Sequence, residues 1–181
     1  MRHLSCPETS ETLGQNLAAF TDNMQGTDTK PVMAKYGMVD LDPNAWYSTR
    51  KLLDALNELA ESHNHMLNFV AIGMTIGETI PLPPDAPTPT YEEILMSWND
   101  VYQNLHRNGD VGTIRCEKIS DNHYVTYHTD IYPDDMSYGL QYGYARRFLP
   151  RDTAFSVYYD PDYPARDYGG DGETIIHVEW E

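Results

Sequence analysis

A bound metal or a covalent reaction needs donor side chains at matched spacing, so the first question is whether the histidines, cysteines and acidic clusters of this chain provide it. There are seven histidines and two cysteines. His63 and His65, two apart in a helix-like stretch, point in different directions, as do His123 and His128 on an alternating strand. No pair along the chain is spaced for one ion. Cys6 and Cys116 resemble neither a zinc site nor a disulfide framework. Cys116 lies in a strand-like stretch with no basic neighbour to lower its thiol pKa, which reads as an inert core cysteine. DLDPN, residues 40–44, begins like a calcium loop but has Ala45 where the loop needs Gly and Lys51 where it needs Glu, so Asp42 reads as a helix cap. The acidic loop 160–173 has no spacing that fixes its carboxylates around an ion and reads as turn chemistry. No nucleophile elbow, phosphate loop or dinucleotide fingerprint occurs. The sequence thus assigns no reaction and leads to the expectation of no metal and no cofactor.

Composition narrows the partners. Twelve Lys and Arg against 28 Asp and Glu give a net charge of −16, which repels phosphate backbones and anionic lipid. No run approaches the roughly 18 apolar residues of a membrane span, and the start lacks a signal-peptide core. The expectation is a soluble cytoplasmic protein that binds neither nucleic acid nor membrane.

The elements that must position any site follow from periodicity. Residues 1–34 are polar and weakly patterned, an arm or a short helix; residues 35–181 read as a single α/β domain. A helix is expected from Asp42-Pro43, with Trp46, Leu52, Leu53, Leu56 and Leu59 on one face, and a second through MLNFVAIGMTIG. After the proline-dense connector 81–90, Thr90 and Glu93 form a capping box at the head of a helix striped by Ile94, Leu95, Trp98, Tyr102 and Leu105 and running to Gly109. Beyond Gly112 the period becomes two. TIRCEKI and HYVTYHT form a hairpin about Ser120-Asp121-Asn122, and AFSVYYD and ETIIHVEW form another. The fold class is α+β: helices packed on a mostly antiparallel four-stranded sheet, in the order ααα-ββ-α-ββ.

Between the hairpins lies SYGLQYGYARRFLPRD, residues 137–152. Asp134 and Asp135 stand at the positive end of this helix and Arg146 and Arg147 at its negative end, which suits the helix dipole. Leu140, Tyr144 and Phe148 form an i, i+4 row expected to bury against the sheet. Gly139 and Gly143 each cost roughly 1 kcal/mol relative to Ala in a helix, so a close approach must compensate, of another element or of a ligand.

The run WNDVYQNLHR, a short loop, TIRCEKISDNHYVTYHT, a helix with G-x-x-x-G and a closing hairpin resembles the C-terminal half of haem nitric-oxide-binding (H-NOX) domains and the vinyl-reductase-type and trafficking-complex domains that share their core. The resemblance covers about residues 91–181. It implies that His106 stands near the family's axial haem ligand and that Tyr127, Thr129 and Ile131 match its Y-x-S-x-R haem-carboxylate motif, with isoleucine in place of arginine. The haem-free relatives imply instead a non-catalytic sensory module, commonly dimeric, around an apolar pocket. The residues here that would line such a pocket are Phe69, Trp98, Tyr102, Tyr127, Tyr142 and Phe148, with Gly139 and Gly143 allowing close approach. A small apolar or aromatic ligand and a homodimer are then expected. A haem gas sensor using His106, with Tyr127 and Thr129 toward the haem, and an acidic protein-interaction scaffold are the alternatives.

Overall fold

The computed structural model describes residues 1–24, 29–61, 68–82 and 87–181. His63, His65 and part of the proline connector lie outside these. Helices α1 (Gly14–Asn23), α2 (Thr29–Lys35), α3 (Thr49–Glu61), α4 (Phe69–Thr79) and α5 (Tyr91–Asn104) precede the main sheet, and α6 (Asp134–Phe148) lies between its hairpins. That sheet runs in the order β4 (Ile114–Ser120), β5 (His123–His128), β7 (Thr174–Trp180), β6 (Phe155–Tyr159), antiparallel throughout. The expected hairpin pairing is present, with Cys116 opposite Thr126 and Val157 opposite Val178. The α+β class holds.

Two local expectations change. The helix expected from Asp42 starts at Thr49. Asp42 folds into a turn instead, its carboxylate accepting from the Asn44 amide at 2.9 Å, and the chain first enters a short strand, β2 (Trp46–Ser48). This strand pairs with β1 (Glu11–Leu13), which also pairs with β3 (His106–Arg107), making a small second sheet. Three-residue strands carry too little alternation to be read from sequence. Of the two readings of segment 1–34, the short helix is found as α1, and Leu4, Leu17, Phe20 and Met33 are buried in the same core as Leu52, Leu53, Leu56 and Leu59 of α3. Each such side chain contributes about 1.5–3 kcal/mol by leaving water.

The capping box of α5 forms as expected: the Glu93 amide donates to Thr90 Oγ1 at 3.2 Å and the Thr90 amide to Glu93 Oε2 at 2.7 Å. Helix α6 crosses α4 glycine against glycine. A Cβ on Gly139 would run into the Val70 carbonyl, one on Gly143 into the Met74 carbonyl, and one on Gly77 would stand 2.6 Å from the Leu140 carbonyl oxygen. Residues of α6 that meet the sheet include Tyr138, Gln141 and Tyr142, through bonds to the Val157 carbonyl and Thr126 and a ring contact with Phe155, and Asp134 and Asp135, which accept from Thr174 and Tyr159. The Leu140–Tyr144 row turns instead toward α4 and α5, with Tyr144 edge-on to Trp98 at 5.5 Å.

Candidate functional site

Helix α5 ends at Asn104, short of Gly109, and two residues later the chain enters β3 at His106, opposite Thr12 of β1. The imidazole reaches back one turn, and its Nδ1 lies 2.7 Å from the Tyr102 carbonyl, a helix-end oxygen that also accepts from the Leu105 amide at 3.2 Å. A carbonyl only accepts, so Nδ1 carries the proton and Nε2 presents its lone pair. That lone pair accepts from the Tyr132 hydroxyl at 2.8 Å, and the same hydroxyl accepts from Asn16 Nδ2 of α1 at 3.3 Å. A chain of hydrogen bonds thus links α5, the segment before α6, and α1. Phe20 packs on the Tyr132 ring at 4.9 Å and Tyr102 on the imidazole at 4.5 Å. Burial lowers the His106 pKa, against the opposing effects of the Tyr102 carbonyl and the Asp130 carboxylate, and so favours the neutral ring. Burial likewise raises the Tyr132 pKa, keeping its hydroxyl protonated and able to donate.

Tyr132 is held from behind. Its amide donates to Asp130 Oδ1 at 3.0 Å and its carbonyl accepts from the Arg2 guanidinium at 2.7 Å. Arg2 also pairs with Asp134 and Asp167, and Arg166 pairs with Asp134 at 2.6 Å, so two guanidiniums surround a fully buried carboxylate at the start of α6. The Asp167 carboxylate accepts from the Asp134 amide at 2.8 Å, capping that helix. Asp130 is itself buried; desolvation works to raise its pKa, but the bond from His128 at 3.1 Å and the charges around it prevail and lower it.

Beside the His106–Tyr132 pair, between α1, α4, α5 and α6, is an apolar cavity of about 90 Å³ walled by Phe20, Ile76, Trp98, Tyr102, Leu140 and Tyr144. Of the residues the sequence proposes as pocket-lining, Trp98 and Tyr102 face it. The others stand elsewhere. Phe69 is in the core at the head of α4, and Gly139 and Gly143 are pressed against the α4 backbone. Tyr142 packs on Phe155, and Phe148 lies next to Tyr144 and the Arg147 guanidinium. Tyr127 is on the far face of the sheet, under Arg115 at 3.6 Å and bonded to Glu117 at 3.2 Å. Thr129 bonds Thr113 across the hairpin, and Ile131 is buried. The three positions matched to the haem-carboxylate motif do not converge. Sequence reasoning missed Asn16, Phe20 and Tyr132, because only the small sheet and the Arg2 network bring them to His106.

Burial raises the thiol pKa of Cys6, and raises that of Cys116 to about 11, further helped by Glu92 and Glu117. Neither is an activated nucleophile. Among the described residues no helix is long and apolar enough to cross a membrane.

No protein-family model matches the chain, and no curated protein does. Solved structures do. An H-NOX protein of T. tengcongensis superposes with a TM-score of 0.64 at 12% identity, covering 93% of this chain and 97% of its own. An H-NOX protein from S. oneidensis in its Fe(II)NO ligation state gives 0.62 at 14%, over 93% and 99%. A structure that probes heme distortion in the H-NOX family gives 0.66 at 13%, over 93% and 92%. The fold is therefore of the H-NOX type, and the likeness extends over nearly the whole chain instead of the C-terminal half alone. The expectation of a domain without a cofactor is overturned by these neighbours, one of which concerns heme in the H-NOX family and another an Fe(II)NO ligation state.

Proposed function

We propose that this protein is a small-ligand sensor domain whose sensing residue is His106, with haem as the group it holds and a diatomic gas as the ligand read there. The observation that carries the reading is the state of His106: buried, its Nδ1 proton donated to a backbone carbonyl and its Nε2 lone pair turned to the Tyr132 hydroxyl, whose residue lines the apolar cavity. A hydrogen bond from the other ring nitrogen fixes the tautomer in which imidazole ligates a metal. The donor therefore fits a haem iron. Phe20, Ile76, Leu140 and Tyr144 would supply the apolar walls. When bound, the group would supply an iron centre at which a diatomic ligand coordinates.

Two features of the site qualify how haem would be held. The Tyr132 hydroxyl is bonded to Nε2 and must give way to iron, and the cavity is small beside the roughly 300–1,000 Å³ of ordinary ligand pockets, so α1 and Tyr132 must move outward. No arginine stands at the carboxylate-binding position, where Ile131 offers no donor, so retention would rest on the iron–histidine bond and apolar contact.

Haemin titration of the wild type and of His106→Ala tests the reading. The wild type is expected to give a Soret band saturating at one equivalent, and the variant a shifted band with weaker retention. A wild type without a Soret band, or a variant indistinguishable from it, overturns the assignment. A second reading is favoured by the cavity volume and the Tyr132 bond: a small apolar ligand enters the cavity directly, with His106 reporting through Tyr132. Amide shifts in Phe20, Ile76 and Leu140 under xenon pressure would support it.

A further inference from the structure

The face of the main sheet turned away from α6 carries a second histidine arrangement that has no part in the His106 site. In the β5–β7 register His123 stands opposite Glu179 and His177 opposite Val125, so the two histidines are diagonal neighbours on one face. His123 Nε2 and His177 Nδ1 lie 2.9 Å apart. Each ring is backed by a carboxylate on its other nitrogen: His177 Nε2 is 3.0 Å from Asp160 Oδ2, and His123 Nδ1 is 3.4 Å from Glu179 Oε1. Tyr158 stacks flat on His177 at 4.9 Å and donates to Glu179 at 2.7 Å, fixing both.

From this geometry we propose that His123 and His177 form a binding site for a late first-row divalent ion, Cu²⁺ being held most tightly. A carboxylate accepts and does not donate, so the bond to Asp160 puts the His177 proton on Nε2 and leaves Nδ1 a lone pair. With the His123 proton on Nδ1, toward Glu179, its Nε2 lone pair faces the same point. The result is two carboxylate–histidine units converging on one position, the outer-shell pattern that orients imidazole ligands to metals. The separation suits this role. Two nitrogens about 2.0–2.1 Å from one ion and about 90° apart stand about 2.9 Å from each other, so the ion enters with a turn of the rings and little strand movement. It replaces the shared hydrogen bond, and the His123 proton moves from Nε2 to Nδ1 without net proton release. Imidazole donors and a right-angled pair favour Cu²⁺ over Ni²⁺ and Zn²⁺. Both rings are accessible, with 22% and 15% of their side-chain surface exposed, and a groove lined by Ser120, Asn122, His123 and Glu179 opens beside them, so water completes the coordination.

The test is a Cu²⁺ titration of the haem-free protein, read by electron paramagnetic resonance and by competition with a chelator. It is run in a His3→Ala background, because a terminal amine with an exposed histidine at position 3 can itself take copper. The expected result is one equivalent bound with splitting from two equivalent imidazole nitrogens, lost in both His123→Ala and His177→Ala. Asp160→Asn should keep the two-nitrogen signature with affinity about 10–100-fold lower, as for other second-shell carboxylates. Circular dichroism confirms that each variant is folded. No saturable equivalent in the parent, a single-nitrogen signal, or full binding in His123→Ala overturns the site, and none of these outcomes bears on haem binding at His106.

Discussion

Replacing Tyr132 by phenylalanine isolates the chemistry of the buried cluster, because it deletes one oxygen and keeps the ring that packs on Phe20. Two hydrogen bonds disappear: the one donated to His106 Nε2 and the one accepted from Asn16. His106 is about 6% exposed, so its Nε2 lone pair is left without water or partner, a loss of about 1–3 kcal/mol. Asn16 is half-buried and can turn to solvent, so its share is small. With a urea slope of about 1–3 kcal/mol per molar, the unfolding midpoint should fall by roughly 1 M at pH 7.5. His106→Ala and the double variant complete the cycle, and the coupling between the two positions should be about 1 kcal/mol or more, since the residues share one bond. The same variant should take up haemin more tightly than the wild type, by roughly two- to tenfold, because no hydroxyl competes for Nε2. A stability loss below about 0.5 kcal/mol, or additive single variants, would mean that the hydroxyl does not hold His106 and that the proposed sensing geometry is wrong.

Two further outcomes follow from features already described. Gly139→Ala should destabilise by about 1–3 kcal/mol despite alanine's better helix propensity, because its Cβ meets the Val70 carbonyl, part of a backbone that cannot swing aside; thermal unfolding that is unchanged or raised would contradict the close crossing. Lowering the pH should destabilise the protein in two steps. His106 has a depressed pKa when folded, so below its unfolded value near 6.5 the unfolded chain binds the extra proton first, and that contribution is lost as pH falls; Asp130, also depressed, does the same below its ordinary value of 3.8. Midpoints measured from pH 7.5 to 5.5 should decline in the wild type and be flatter in His106→Gln.

How much was legible in the sequence divides along physical lines. The Thr90–Glu93 capping box, the period-two strands about Asn122 and the glycine pair of α6 are local signals, and each is realised as read. The direction of the Leu140–Tyr144 row was not local: two of the helix's faces are apolar enough to bury, and only the position of α4 decides which meets the sheet. The end of α5 was misread because β3 is two residues long and its pairing partner lies almost a hundred residues earlier. A helix running to Gly109 would have placed His106 in its last turn; it stands in β3 instead, yet its ring still bonds the Tyr102 carbonyl. Tyr132 carried no motif at all. Its role depends on a hydroxyl meeting an imidazole 26 residues away, with Arg2 and Asp130 fixing the backbone between, and no spacing rule encodes that. The His123–His177 pair escapes in a similar way, since strand alternation tests pairs within one strand and this pair spans two.

The placement of β1 and Arg2 bears on synthesis. On the ribosome, the first dozen residues emerge long before the partners they need: β1 waits for His106 and Arg107, and the Arg2 guanidinium for Asp134 and Asp167. Until then the segment has only β2 and the leucine face of α3 to pack on, and contacts of such long sequence separation form slowly. The amino-terminal end therefore stays incompletely anchored until the chain has been made as far as Asp167.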